Sequence, residues 1–167
     1  MEAQKVKGSD YRDLAEFRYR LRRFLRFSEG AARKAGLEPQ QHQLLLAVKG
    51  LPKGAKATVG TLAERLQIQH HSAVELVDRL AERGFVRRFR DPSDRRQVFV
   101  RLRPSGEKIL RELSLYHLAE LRLVGPNLVK VLKQLISAAD KRTRRTVGER
   151  QALVLSLGRA RDFFKAN

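Results

Sequence analysis

The 167-residue chain contains no cysteine, which excludes disulfides, thiolate zinc sites and thiol-based redox sensing. It also lacks any apolar run approaching the roughly 18–20 residues of a membrane span, and its opening, MEAQKVKGSDYRD, has no apolar signal-peptide core. A cytoplasmic location is therefore expected. There is no Ser/His/Asp or Cys/His constellation, no phosphate-cradling glycine loop and no recognisable pair of catalytic carboxylates, so neither enzyme activity nor a cofactor is expected. The adjacent His70 and His71 diverge by about 100° on a helix and have no further ligands at a recognised spacing, so no metal site is expected either. His42, alone on its helix, reads as a surface or satisfied core residue. The chain carries no internal repeat or low-complexity segment.

Acids are scarce as well. Eighteen Asp and Glu face 36 Lys and Arg, a net charge of +18, which places polyanions first among partners. The hydrophobic content, 42%, suffices for the core of one domain with an extra helical arm.

What the chain does have is concentrated between Thr58 and Arg103. Leu62, Ala63 and Leu66 share a helical face, and Thr58 is a suitable N-cap, which predicts a short helix over Val59 to Leu66. After the turn Gln67-Ile68-Gln69, the residues Ala73, Leu76, Val77 and Leu80 step by 3, 1 and 3 along one face of a second helix, with Gly84 placed to end it. Two helices joined by so short a turn form a helix-turn-helix. Phe85 to Phe89 and Gln97 to Leu102 then read as two strands around the turn-forming Arg90-Asp91-Pro92-Ser93-Asp94-Arg95-Arg96. Residues 86–103 hold seven Arg against two Asp, 7 − 2 = +5 on a single ribbon. A ribbon so charged beside a recognition helix reads as a wing.

The flanks are helical. Leu14, Phe17, Leu21, Phe24, Ser28 and Ala31 follow an a/d rhythm over 10–34, and Arg18, Arg20, Arg22, Arg23 and Arg26 read as a solvated basic face around it, with a DNA contact or a site for an acidic ligand as the alternative. Pro39 opens a helix that ends at Gly50. A further helix is predicted from Pro104-Ser105-Gly106 to about Val124, apolar on two sides and hence in need of two partners. Gly125-Pro126-Asn127 should kink or end it. Residues 138–149 read as a basic linker, and 151–164 as a last amphipathic helix.

These residues resemble a known family. LAERLQIQHHSAVELVDRLAERGFVRR, the run Asp94-Arg95-Arg96-Gln97-Val98-Phe99-Val100 and RLRPSGEKIL are similar to the winged helix-turn-helix of the MarR transcriptional regulators, whose wing-tip pattern Asp-x-Arg-x-x-x-Val/Leu is matched by Asp94, Arg96 and Val100. Resemblance is clear from about Leu37 to Leu113. It implies an α+β, mainly α fold, a winged helix-turn-helix with N- and C-terminal dimerisation helices: 1–36 and 104–137 for dimerisation, 37–103 for the DNA-binding lobe, and 138–167 as a basic linker with an additional helix. Some relatives sense oxidants through cysteine, a route closed to this chain.

The resemblance also implies a homodimeric regulator on a pseudo-palindromic operator, a ligand-responsive repressor whose effector is a small aromatic or anionic molecule. The alternative is a constitutive winged-helix module that binds DNA, RNA or protein without ligand control. On the second helix, Gln69 and His70 sit at the end that usually meets base edges, while His71, Glu75 and Asp78 point away from the core, flanked by Ser72, Val74 and Arg79. Glu75 would repel phosphates, so it either accepts from cytosine N4 or pairs with His71 or Arg79. In the resemblance Arg96 enters the minor groove, oriented by Asp94, while Arg88, Arg90 and Arg95 hold phosphates. Where relatives often carry Thr, Arg103 stands here, leaving Ser105 as the nearby helix-capping candidate.

Overall fold

A computed structural model describes the backbone of residues 6–90 and 97–165, and side chains as far as residue 141. Its elements run α1 (Gly8–Lys34), α2 (Pro39–Lys49), α3 (Val59–Leu66), α4 (His70–Glu82), β1 (Val86–Arg90), β2 (Val98–Leu102) and α5 (Pro104–Lys165). Contacts divide the chain into residues 23–123 and a second unit made of 1–22 with 124–167. Among the described residues no helix is long and apolar enough to cross a membrane.

The lobe formed by residues 23–123 is built on the predicted motif. The Thr58 hydroxyl accepts from the Thr61 N–H at 3.1 Å, satisfying one of the donors a helix start leaves over. Nine residues after Thr58, Gln67 adopts a left-handed conformation, φ 54°, and the Ile68 N–H returns to the Ala63 carbonyl at 3.0 Å. The chain then re-enters helix at His70. Ala73, Leu76, Val77 and Leu80, the stripe expected on α4, are all buried, and they meet Leu44, Leu45, Leu62, Val86, Val100, Leu110 and Leu113 in one core. Each such Leu or Val contributes about 1.5–3 kcal/mol by leaving water. Gly84, at φ 74°, ends α4 as expected, and the Phe85 N–H bonds back to the Leu80 carbonyl at 2.9 Å.

The two strands pair antiparallel, with Arg88 opposite Val100 and Phe89 opposite Phe99. Since side chains alternate across a strand, Val86, Arg88, Arg90, Val98, Val100 and Leu102 share the inner face. Arg87, Phe89, Phe99 and Arg101 share the outer one. The segment before α3 lies along β2, joined by a Thr58–Phe99 bridge and by the Val100 N–H to the Ala57 carbonyl at 2.9 Å.

Three expectations about the C-terminal part are corrected. α5 is one helix from Pro104 to Lys165, with Pro126 inside it, so of the kink or end expected at 125–127 the end does not occur, and the linker at 138–149 and the separate helix at 151–164 are parts of the same element. Lys and Arg are good helix formers, so polarity alone does not stop a helix, and Pro126 removes only one hydrogen bond from the ladder. The helix also begins earlier than the Ser105 cap would have it, since the Ser105 hydroxyl instead donates to the Gly84 carbonyl at 2.5 Å. Gly106 explains why. A Cβ there would meet the Phe85 carbonyl oxygen at 2.1 Å, so the first turn of α5 presses directly on the start of the wing.

Of the two apolar sides expected on α5, one packs into the lobe through Leu110, Leu113 and His117, while Leu115, Leu118 and Leu123 stay exposed within the single chain. In the second unit, Leu14 and Leu21 of the a/d stripe are exposed in the same way, and Arg20 pairs with Glu16 at 2.7 Å.

Candidate nucleic-acid interface

The buried stripe of α4 fixes what its other side presents. Gln69 is the N-cap residue and makes no side-chain capping bond, so its amide, with His70 and His71, stands exposed at the N-terminal end of the helix. Ser72 is half-buried beside them, and Val74 packs against the core. Glu75 and Arg79, each about two-thirds exposed, lie 3.4 Å apart as an i,i+4 ion pair. Of the two cationic partners weighed for Glu75, the structure pairs it with Arg79. The structure therefore brings Gln69, His70, His71, Ser72, Glu75 and Arg79 together on one open surface.

The ribbon divides differently from the sequence expectation. Arg90 is exposed at the end of β1. Arg88, expected on phosphates, instead forms an ion pair with Asp78 of α4. Asp94, Arg95 and Arg96 lie outside the described residues. On the outer face the Phe89 and Phe99 rings stack at 5.4 Å, with the Arg101 guanidinium 4.4 Å above Phe89 and the Lys56 ammonium 5.5 Å from Phe99. These four residues help to line an open hollow of about 580 Å³, beside Lys49 and Glu107. Lys49 and Glu107 pair at 2.7 Å, and that hydrogen bond and charge hold the Glu107 carboxyl below its ordinary range. Sequence reasoning missed this surface, although the alternation of Phe89 and Phe99 with inward valines carried the signal.

A second cluster was also missed. His42 and His117 are both buried, with their rings 4.8 Å apart and the edges of Phe24 and Phe27 around His117. The Nε2 atom of each has no hydrogen-bond partner among the described residues. His42 is thus a core residue, but not a satisfied one. Burial, with His117 beside it, pushes its imidazole down to about 4. Burial lowers His117 as well, against a backbone hydrogen bond to Ser28. Among the described residues no group of three or more His, Cys, Asp or Glu is placed to hold a metal ion.

A buried-backed helix after a three-residue turn, with an arginine-bearing antiparallel ribbon beside it, is a winged helix-turn-helix, and residues 35–97 match the sequence profile of the MarR family. That segment resembles the MarR family. YcgE of Bacillus subtilis strain 168, an uncharacterized HTH-type transcriptional regulator, is 32% identical over 87 residues, 52% of this chain and 54% of YcgE. A second curated relative from the same bacterium is matched over 38% of its length, so the chain spans about half or less of the curated relatives it matches. Among solved structures, the MarR family regulator AbsC of Streptomyces coelicolor overlays with a TM-score of 0.66 at 19% identity, over 87% of this chain and 99% of AbsC. The S. aureus MepR F27L mutant, bound to an oligodeoxyribonucleotide, overlays with a TM-score of 0.56 at 17% identity, over 81% and 99%. At these identities the overlays establish the shared MarR-type fold.

Proposed function

We propose that this chain is a sequence-specific, double-stranded DNA-binding transcriptional regulator of the MarR type, acting as a homodimer on a pseudo-palindromic operator. One observation carries the reading: α4 buries its whole apolar stripe and leaves Gln69, His70, His71 and Arg79 exposed, with Ser72 half-buried among them, beside a ribbon with cationic side chains. Helices placed this way enter the major groove with their N-terminal residues at base edges, and His, Gln and Ser offer donors and acceptors suited to those edges. The MepR neighbour binds an oligodeoxyribonucleotide with the same fold, and a net charge of +18 favours a polyanion. Arg90 and Arg95 serve as phosphate contacts in this reading, and Arg96, oriented by Asp94, serves as the minor-groove contact.

A dimer follows from apolar surface that one chain leaves open. Leu115, Leu118 and Leu123 on α5, and Tyr11 and Leu14 on α1, are 46–75% exposed, more than a solitary molecule normally shows on such helices. Ligand control by a small aromatic or anionic effector is the finer part of the proposal, supported by the cation-lined, aromatic-floored hollow beside the wing. Selection of bound sequences from random duplex DNA, with sedimentation of the free protein, tests the whole. The expected result is a two-fold motif with half-site centres about 10 bp apart, bound by a species of twice 19.2 kDa. A monomer that enriches no sequence refutes it. A panel of aromatic carboxylic acids that shifts neither the melting temperature nor DNA affinity removes the effector and leaves a constitutive binder.

A further inference from the structure

We propose that Arg88 is a positioning residue, acting through Asp78 to hold the wing at a set angle to the recognition helix, and that it does not bind phosphate itself. The proposal rests on the DNA-binding reading for its consequence, though not for its geometry. Arg88 leaves β1 on the inner face, between Val86 and Arg90 and opposite Val100. Val86 and Val100 are each 1% exposed, so this face is the one turned to the lobe's core. An arginine on it can reach solvent only at the rim, and there it meets the carboxylate of Asp78, one helical turn before the end of α4.

The position of that pair gives it leverage. Among the described residues the hydrogen bonds on the α4 side sit at the ribbon's base: Phe85 N–H to Leu80 carbonyl at 2.9 Å, Arg103 N–H to Phe85 carbonyl at 2.9 Å, and Ser105 hydroxyl to Gly84 carbonyl at 2.5 Å; further out, β2 is tied by the Val100 N–H to the Ala57 carbonyl at 2.9 Å, on the side away from α4, and the Arg88–Asp78 pair is the matching tie of β1 to α4. The bonds at the base meet at Gly84, the left-handed turn between α4 and β1, which is a natural pivot. Arg88 lies two residues beyond Val86, roughly 7 Å further along the strand, and is tied to a different element. A restraint displaced from the pivot limits rotation in a way that bonds at the pivot cannot. The pair also neutralises Asp78, a carboxylate that would otherwise face phosphates from the recognition helix.

A phosphate contact and a positioning pair give opposite answers to charge exchange. Arg88→Gln and Asp78→Asn should each weaken binding to the selected operator by about two- to fivefold, the range of a partly exposed ion pair, leave the slope of log affinity against log salt unchanged, and flatten preference at base pairs under the wing. The double variant should be no weaker than the poorer single one. The exchanged variant Asp78→Arg/Arg88→Asp should recover affinity, because the pair is rebuilt. An Arg88→Gln slope shallower by about one unit, or an exchange that weakens binding further, overturns the proposal.

The absence of cysteine allows a readout that needs no DNA. Spin labels on Glu64→Cys and Arg90→Cys report the distance from α3 to the end of β1. That distribution should broaden in Arg88→Gln and narrow again in the exchanged variant. Equal widths in all three refute the positioning role, whereas a parent protein that selects no DNA sequence, with the broadening still seen in Arg88→Gln, refutes only the DNA-binding reading.

Discussion

Acidification should weaken the lobe of residues 23–123 through His42, and the size of the effect follows from its surroundings. His42 is 3% exposed, its Nε2 finds no hydrogen-bond partner among the described residues, and burial is the larger cause that lowers it from 6.5 to about 4, His117 adding the rest. In the unfolded chain the imidazole regains its ordinary value. Between pH 6.5 and about 4 the unfolded state therefore binds a proton that the folded state refuses, and stability falls as pH falls across that window. The contribution is fully present above pH 6.5. At about 1.4 kcal/mol per pH unit, the loss reaches about 3 kcal/mol near pH 4. His117 changes in the same direction, its burial outweighing the Ser28 bond, and steepens the fall. Urea denaturation from pH 4.5 to 7.5 measures this directly, since midpoint times m gives the free energy at each pH. His42→Phe keeps an aromatic ring against His117 and removes both the titration and an unpartnered nitrogen. Its stability should vary much less across the window than that of the parent. Parallel pH profiles for the two proteins would refute the reasoning, because the loss would then come from groups elsewhere.

Two further substitutions test the joints that position α4 and the wing. Gly106→Ala puts a methyl group 2.1 Å from the Phe85 carbonyl oxygen; backbone must move, so a loss of about 1–3 kcal/mol is expected, seen as a lower urea midpoint with unchanged m. Thr58→Ala removes the acceptor for the Thr61 N–H and should cost about 1 kcal/mol, with Thr58→Ser, which keeps the oxygen, close to the parent.

Much of the lobe was legible in the sequence because its signals are local. The bounds of α3, the turn at 67–69, the buried stripe of α4 and the glycine at 84 follow from periodicity and capping that a few neighbouring residues determine. The failures have a common physical origin. Gly125-Pro126-Asn127 and the basic run at 141–145 are breakers only by local preference, and a long helix absorbs one lost hydrogen bond. Ser105 looked like a cap, but its bond goes to Gly84, 21 residues away. His42 and His117 meet across 75 positions, a pairing no window contains, and Asp78 meets Arg88 only because the strand turns back along α4. The wing-tip assignments, Asp94, Arg95 and Arg96, lie outside the described residues and rest on the family pattern.

The charges on α4 bear on how such a lobe would divide its work on DNA. In the proposed reading a basic chain has cations to spare for the helix that would read bases, yet the exposed side of α4 sets Glu75 against Arg79 and gives Asp78 to Arg88. With Glu75 and Asp78 paired, the face that carries them offers little net charge to the phosphates. Salt-dependent attraction must come instead from the other cations of the chain. A neutral reading face gains little by sitting on the wrong bases, since it has no charge to offset unpaired donors and acceptors there. Affinity and selectivity would then reside on different elements, which need to be held in fixed relation for both to act on one site. The contacts that supply that relation are the ones at Gly84, Gly106 and the Asp78–Arg88 pair, and none of them touches a base.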